Sequence, residues 1–304
     1  MNLNKIAIIS PGDMGSDIGR YLIANGATVY TCLEDRSPRT RALSERAGII
    51  EVTSLQQLVK TVDIILSITI SDIVEEVCQK VALAMQEVDN YPVFVDCNAI
   101  SPQKCQQLET IITTAGAKFV DASILGGPPS RGGTMSGMAG KSPRIYYSGH
   151  ATDEFCTLAE FGLDLKYLGP HIGQASAIKM TYAAMNKGST ALYTELLLAA
   201  TQMGVADQLV EEFTATQMDA YNRMTKMIPR MPAKARRWVS EMKEIQATFQ
   251  ELGMTGNIFK GVSDMYHMIG ATPIGNETPE TQDQTRSLEQ TITTIAHFIE
   301  ESNN

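Results

Sequence analysis

The stretch Ser10-Pro11-Gly12-Asp13-Met14-Gly15 constrains the fold of this chain more than any other. Ahead of it runs Lys5-Ile6-Ala7-Ile8-Ile9, apolar and β-branched, which predicts a buried strand. Behind it, Ile18, Tyr21 and Leu22 fall at helical spacing, and Asn25-Gly26 supplies a stop. Strand, glycine turn and helix form the layout of a dinucleotide site. There the backbone approaches a pyrophosphate and the helix N-terminus offers its free N–H groups. The fingerprint is damaged, because the usual G-x-G-x-x-G reads S-P-G-D-M-G. Ser10, in place of the first glycine, predicts a slightly wider turn. Asp13 must turn its carboxylate away from any phosphate, while the amides of Asp13 and Met14 face it. Taken alone, the stretch is equally an ordinary tight βα turn, so the rest of the chain has to decide.

The alternation of strand and helix continues. Strands are expected at Thr28–Leu33, Val62–Ile68, Val93–Asp96, Lys118–Asp121, Arg144–Ser148 and Lys166–Leu168. Helices are expected at Pro38–Ala47, after the cap Ser54, at Ile73–Met85, after Ser101-Pro102, and at Asp153–Phe161. This spacing predicts a Rossmann-like α/β domain, a doubly wound parallel sheet covered on both faces. Ligands of such sheets sit at the C-terminal strand ends. Those ends are followed by Gly12–Gly15, Glu34–Ser37, Thr69–Asp72, Cys97–Ser101 and Ala122–Pro129. Ala122–Pro143 carries six glycines and three prolines, which predicts a long irregular segment.

After Gly169 no strand is convincing. Ala175–Met203 reads as one helix, apolar on most sides and therefore buried, roughly 40 Å long with Gly188 a candidate bend. Helices at Ala206–Met227, Ala233–Leu252, Ile258–Ile269 and Thr281–Glu300 follow, with a polar tail expected to fray. The expected division is a cofactor-binding domain over 1–168 and an all-helical substrate and dimerisation domain over 169–304. A chain of 304 residues suits two domains. Its net charge of −9 argues against nucleic acid and anionic membrane as partners. Five scattered cysteines without a C-x-x-C pair suit a reducing cytoplasm, the first strand leaves no room for a signal peptide, and no metal-ligand spacing is visible.

The cofactor class follows from the second strand. Asp35 stands where an acidic residue binds the ribose hydroxyls of NAD, and Arg36 beside it suits the extra phosphate of NADP. Arg36, Ser37, Arg39 and Arg41 form a small basic cluster, which favours NADP while NAD stays open. Thr69, at the end of a further strand, completes the expected cofactor contacts.

Three later stretches carry a resemblance. Asp96-Cys97-Asn98-Ala99-Ile100-Ser101-Pro102 resembles D-x-S-T-x-x-P. Asp121-Ala122-Ser123-Ile124-Leu125-Gly126-Gly127 resembles D-A-P-V-S-G-G. Gly169–Lys179 resembles G-x-x-G-x-G-x-x-x-K. In this order they are similar to the β-hydroxyacid dehydrogenase family, in a divergent, phosphogluconate-dehydrogenase-like branch. The resemblance covers somewhat over half the chain. It implies hydride transfer between a nicotinamide and a hydroxyl or carbonyl carbon of a small substrate, with Lys179 as general acid/base. A lysine's free pKa of about 10.4 falls toward the working pH with burial and a neighbouring oxidised nicotinamide. Ala175 and Ala183, one turn away on either side, leave room for a ligand. Gly126 and Gly127 are expected to offer N–H groups to a substrate carboxylate, and Ser123 and Asn98 to donate to substrate or nicotinamide. Plain turn-making is the competing role for all four.

Two departures matter. Leu125 replaces the family's serine and Ala183 its asparagine, which argues against phosphogluconate as the substrate and for a less polar or bulkier one. Arg236 and Arg237 are candidates to bind a carboxylate instead. Tyr266 and His267 are read as a second proton donor or as packing. The resemblance also implies a homodimer through the helical domain. Imine reductases share the architecture, although they usually replace the lysine, and a non-catalytic sensor of the NADP redox state is a further alternative.

Overall fold

A computed structural model of the chain describes residues 4–131 and 142–303. Its elements, in order, are β1 (Lys5–Ile9), α1 (Asp13–Ala24), β2 (Thr28–Cys32), α2 (Pro38–Ala47), β3 (Ile50–Val52), α3 (Leu55–Thr61), β4 (Ile64–Ser67), α4 (Val74–Val88), β5 (Val93–Asp96), α5 (Pro102–Thr114), β6 (Phe119–Leu125), β7 (Arg144–Ser148), α6 (Asp153–Cys156), β8 (Asp164–Gly169), α7 (Gln174–Gln202), α8 (Ala206–Thr216), α9 (Met218–Met227), α10 (Pro232–Glu251), α11 (Asn257–Ala271) and α12 (Leu288–Asn303).

The eight strands form one sheet in the order β3-β2-β1-β4-β5-β6-β7-β8. The reversal at β1/β4 is the switch point of a doubly wound sheet. Strand periodicity divides the core. Ala7, Ile9, Ile65, Phe94 and Phe119 face a buried cluster with Val77, Val81, Leu108 and Ile112 of α4 and α5. Ile6, Ile8, Leu66, Val95 and Ile124 face the opposite cluster with Ile18, Leu22 and Phe155. Caps fall where side-chain chemistry sets them: Ser37, Ser54 and Ser101 accept hydrogen bonds from Thr40, Gln57 and Lys104 amides, with Pro38 and Pro102 opening α2 and α5.

Several expectations are corrected. The sheet is not wholly parallel, because β6 and β7 pair antiparallel, with Asp121 opposite Ser148 and Leu125 opposite Arg144. That pairing extends β6 to Leu125, so Ala122–Leu125 is strand and the loop starts at Gly126. Positions 132–141 of the expected irregular segment lie outside the described residues. The three-residue edge strand β3 was not expected. Asp153–Phe161 is a single α-turn followed by a 3-10 turn, Thr157–Phe161. The helix expected over 206–227 breaks at Gln217, where the backbone leaves helical geometry. The last helix starts at Leu288 and carries the polar tail to Asn303, while residue 304 lies outside the described residues.

By internal contact the chain divides into two compact units, Met1–Met180 and Thr181–Asn304. The first turns of α7, including Lys179, therefore pack with the sheet unit. α7 runs through Gly188 unbroken, and it is not buried all round. Met185, Leu192 and Leu196, which fall on one stripe of this long helix, are 51%, 54% and 43% exposed. In the helical unit, Tyr266 is fully buried, donates to the Lys187 carbonyl at 2.6 Å and packs edge-on against Trp238. Arg236 donates to the Gly270 carbonyl and Asn276, and Arg237 lies by Glu241. His267 is exposed. Among the described residues no helix is long and apolar enough to cross a membrane.

Candidate active site

The turn after β1 is tighter than its sequence suggests. Ser10 takes a left-handed backbone with φ +57°, the conformation the missing glycine would have supplied, and its carbonyl accepts from the Gly12 amide at 2.7 Å. The expectation of a wider turn is thus corrected. Gly12 stands at the N-cap of α1, where no side chain caps the helix. The first intrahelical bond runs from Ser16 N–H to the Gly12 carbonyl, 2.8 Å, so the amides of Asp13, Met14 and Gly15 have no partner within the helix. A Cβ at Gly12 would meet only the Ser10 carbonyl, 3.9 Å away, whereas one at Gly15 would press on Ile8 at 3.1 Å. Gly15 therefore serves helix–strand packing, and Gly12 keeps space clear in front of the helix. An anionic pyrophosphate fits that cradle of donors.

This arrangement makes a separable prediction. Gly12→Val should leave the fold intact, because its site is open and its φ of −73° suits any residue. The added side chain should nevertheless weaken nicotinamide dinucleotide binding by about tenfold or more, an effect of about 1.4 kcal/mol. Thermal melting and an equilibrium cofactor titration check the two halves.

Around the turn, the C-terminal strand ends converge. After β2, Asp35 is exposed with φ +58° and Arg36 is half-buried beside it. Ser37 spends its oxygen capping α2, accepting from the Thr40 amide at 3.2 Å. Arg41 is engaged by Glu51 and the Leu33 carbonyl, and Arg39 by Asp13 at 2.6 Å. After β4 and β5, Asn98 binds the two ends together. Its Oδ1 accepts from the Thr69 amide and hydroxyl, and its Nδ2 donates to Asp96 at 2.5 Å and to Ser67 at 3.1 Å. Both hydrogens and both lone pairs of the amide are thereby used. The structure places Asn98 at the expected strand end, but as the brace of Thr69 and not as a donor turned toward a ligand.

Behind this brace lies a pair of buried carboxylates in register, Asp96 on β5 beside Asp121 on β6. Burial, with a smaller contribution from the Asp121 charge, raises the Asp96 carboxyl to about 7 against two hydrogen bonds from Asn98. The folded pKa exceeds the ordinary 3.8, so this group's contribution to stability is complete below that value and is lost as the pH rises through about 7.

Asp121 does a different task. Its Oδ2 accepts from the amides of Gly173, Ala175 and Ser176 at 2.9, 2.9 and 3.1 Å and from the Ser148 hydroxyl at 3.0 Å. Its Oδ1 accepts from the Ser176 hydroxyl at 2.8 Å. A single buried carboxylate thus caps the N-terminus of α7, where both the orphan amides and the helix dipole favour negative charge.

One turn further along α7, Lys179 donates from Nζ to the Ile124 carbonyl at 2.6 Å. The lysine is half-buried between Ala175 and Ala183, both buried. Next to Ile124 on β6, the Ser123 hydroxyl is wholly buried without a protein partner among the described residues. Gly126 follows with φ +115°, a left-handed conformation suited to glycine, with Gly127 half-buried after it. Asp17 of α1 accepts from the Ser130 amide at 2.6 Å and pairs with Arg20, fastening the end of this loop to the cofactor helix. Burial opposes the Asp17 charge, but these bonds outweigh it and hold the carboxyl below its usual range.

Ser10–Gly15, Asp35–Ser37, Thr69, Ser123, Gly126, Gly127 and Lys179 all belong to the sheet unit, the first three groups just beyond the C-terminal ends of β1, β2 and β4. The anchoring roles of Asp121, Asp96, Asp17 and Arg39 were not anticipated. The one local signal for the first two is a carboxylate closing an aromatic–valine pair, in Phe94-Val95-Asp96 and Phe119-Val120-Asp121.

Comparison with known proteins agrees with this geometry. Residues 5–152 match the NAD binding domain of 6-phosphogluconate dehydrogenase, and residues 200–269 match a domain of unknown function, DUF1932. An uncharacterized oxidoreductase of Synechocystis is 25% identical over 238 residues, 76% of this chain and 78% of the relative. The solved structure of conserved protein MTH1747, described as similar to 3-hydroxyacid dehydrogenases, is 26% identical with a TM-score of 0.63, covering 88% of this chain and 96% of that one. A 3-hydroxyisobutyrate dehydrogenase of Mycobacterium tuberculosis, solved with L-serine, shares the fold at a TM-score of 0.66 and 15% identity, covering 96% and 99%. An imine reductase of Myxococcus stipitatus shares it more loosely, at 0.53 and 17%, covering 97% and 99%.

Proposed function

We propose that this chain is a divergent β-hydroxyacid dehydrogenase-like, NAD(P)-dependent oxidoreductase, and that it moves hydride between NADP and a small hydroxy acid or related carbonyl, with Lys179 as the general acid/base. The observation that carries the reading is Lys179 Nζ, which donates to the Ile124 carbonyl at 2.6 Å within the unit that also holds the dinucleotide cradle. When bound, the dinucleotide supplies the hydride donor or acceptor. The amides at Asp13 and Met14 hold its pyrophosphate, Arg36 its ribose phosphate, and Thr69, fixed by Asn98, borders the nicotinamide side. Lys179 takes the proton of the substrate hydroxyl as hydride leaves, or returns it in reduction. The Ser123 hydroxyl, buried without a protein partner among the described residues, is the donor to the substrate oxygen. Gly126 and Gly127 offer amides to a carboxylate, and Leu125 in place of serine turns the pocket toward a less polar substrate. We assign cofactor binding to 1–168 and substrate binding and dimerisation to 169–304.

A panel of small hydroxy acids with either oxidised nicotinamide, and of carbonyls and imines with either reduced one, read by nicotinamide absorbance, tests the reading. Turnover of hydroxy acids or their carbonyls supports it. Turnover of imines alone favours the imine reductase alternative, and tight cofactor binding with no turnover favours a redox sensor; either overturns it.

The preference for NADP rests on Arg36, since Arg39 and Arg41 are engaged elsewhere. Arg36→Ala should weaken NADPH binding by about tenfold while NADH binding changes less than about twofold, in parallel titrations. An equal loss for both would remove Arg36 as the discriminating residue.

The exposed stripe Met185, Leu192 and Leu196 on α7 supports self-association. Sedimentation at micromolar concentration should give the mass of a homodimer, and a monomer would contradict it. Five free cysteines without a disulfide support a cytoplasmic location.

A further inference from the structure

Asp13 is the first residue of α1, directly after the Gly12 cradle. A carboxylate there gains from the helix dipole, but it competes with any phosphate for the same amides and adds a repelling charge at short range. The structure answers that charge from another element. Because β1 and β2 are neighbours in the sheet, the helices that follow them begin side by side. Arg39, in the first turn of α2, reaches across to Asp13, with Nη2 2.6 Å from Oδ1. Both side chains are partly exposed, at 38% and 26%, so the pair stands at the mouth of the cradle and not in the core.

We propose that Arg39 is a positioning residue for the cofactor: by holding and neutralising the Asp13 carboxylate, it keeps the cradle receptive to an anionic pyrophosphate. The proposal rests on the dinucleotide reading of the turn. It assigns Arg39 a role distinct from that of Arg36, because cancelling Asp13 serves NADP and NAD alike, while a direct contact with the ribose phosphate serves NADP alone.

The test is a titration of NADPH and of NADH into the full chain, with melting temperatures alongside. The variants are Arg39→Ala, Arg39→Lys, Asp13→Ala and the double Asp13→Ala/Arg39→Ala. Arg39→Ala should lose about tenfold or more in affinity for both cofactors, at low salt, with a smaller deficit at high salt. Arg39→Lys should recover most of the loss. The double variant should return to within about threefold of the wild type, since the unpaired carboxylate is gone. Arg39→Ala within twofold of wild type, a loss confined to NADPH, or a double variant as weak as Arg39→Ala would each overturn the proposal. A wild type that binds neither cofactor would overturn the dinucleotide reading itself, and this proposal with it. A wild type that binds both, with no effect of Arg39→Ala, would overturn this proposal alone.

Discussion

Lys179→Met should retain cofactor affinity within about twofold and lose turnover by about a thousandfold. Methionine keeps the length and apolar stem of lysine but has no proton to give or take, and a positioned acid/base group contributes about 10²–10⁴-fold. The affinity should survive because the cradle at Gly12–Met14 and the residues Arg36 and Arg39 lie on other elements. Lys179 donates to the Ile124 carbonyl, so its replacement leaves that backbone acceptor unmet at a half-buried position. The fold should therefore tolerate the change with a cost of about 1–2 kcal/mol. Steady-state turnover on the best substrate, together with a cofactor titration, checks both halves. Turnover within tenfold of the wild type would remove Lys179 from the chemistry.

Asp121→Asn should be the most damaging single substitution in the sheet unit, with a loss of about 3–5 kcal/mol by chemical denaturation. Asp121 accepts five hydrogen bonds, three of them from amides opening α7. Asparagine has nearly the same shape, but one of its two positions becomes a donor facing donors. It also removes the charge that the helix N-terminus favours. The start of α7 would then shift, and Lys179 one turn onward with it, so turnover should fall along with stability. A variant within about 1 kcal/mol of wild type would show that the cap is replaceable.

These two residues show what local sequence carries and what it does not. The β1–turn–α1 unit was legible because its apolar run, glycines and stop act within about 25 neighbouring positions. Lys179 was legible only through the family motif, since nothing in the periodicity of α7 separates it from a surface lysine. The role of Asp121 was not legible, because its partners at 173–176 lie more than fifty positions away. The same holds for Arg39, which reads as one of a basic cluster until folding sets it against Asp13, and for Asp17, whose partner is Ser130. Asn98 was expected to face a ligand; its three bonds to Ser67 and Thr69 depend on strands β4 and β5 being adjacent. The direction of β7 was hidden for a related reason, as alternation is the same in parallel and antiparallel strands. Ser10 is the opposite case: a residue that departs from the fingerprint adopts the fingerprint's backbone, so chemical mismatch did not mean geometric mismatch.

The most direct measurement is a crystal structure of the chain with NADP(H) bound. The pyrophosphate should lie on the amides of Asp13 and Met14, the ribose phosphate beside Arg36, and the nicotinamide ring toward Lys179. Density for the dinucleotide elsewhere, or a nicotinamide ring turned away from Lys179, would contradict this placement.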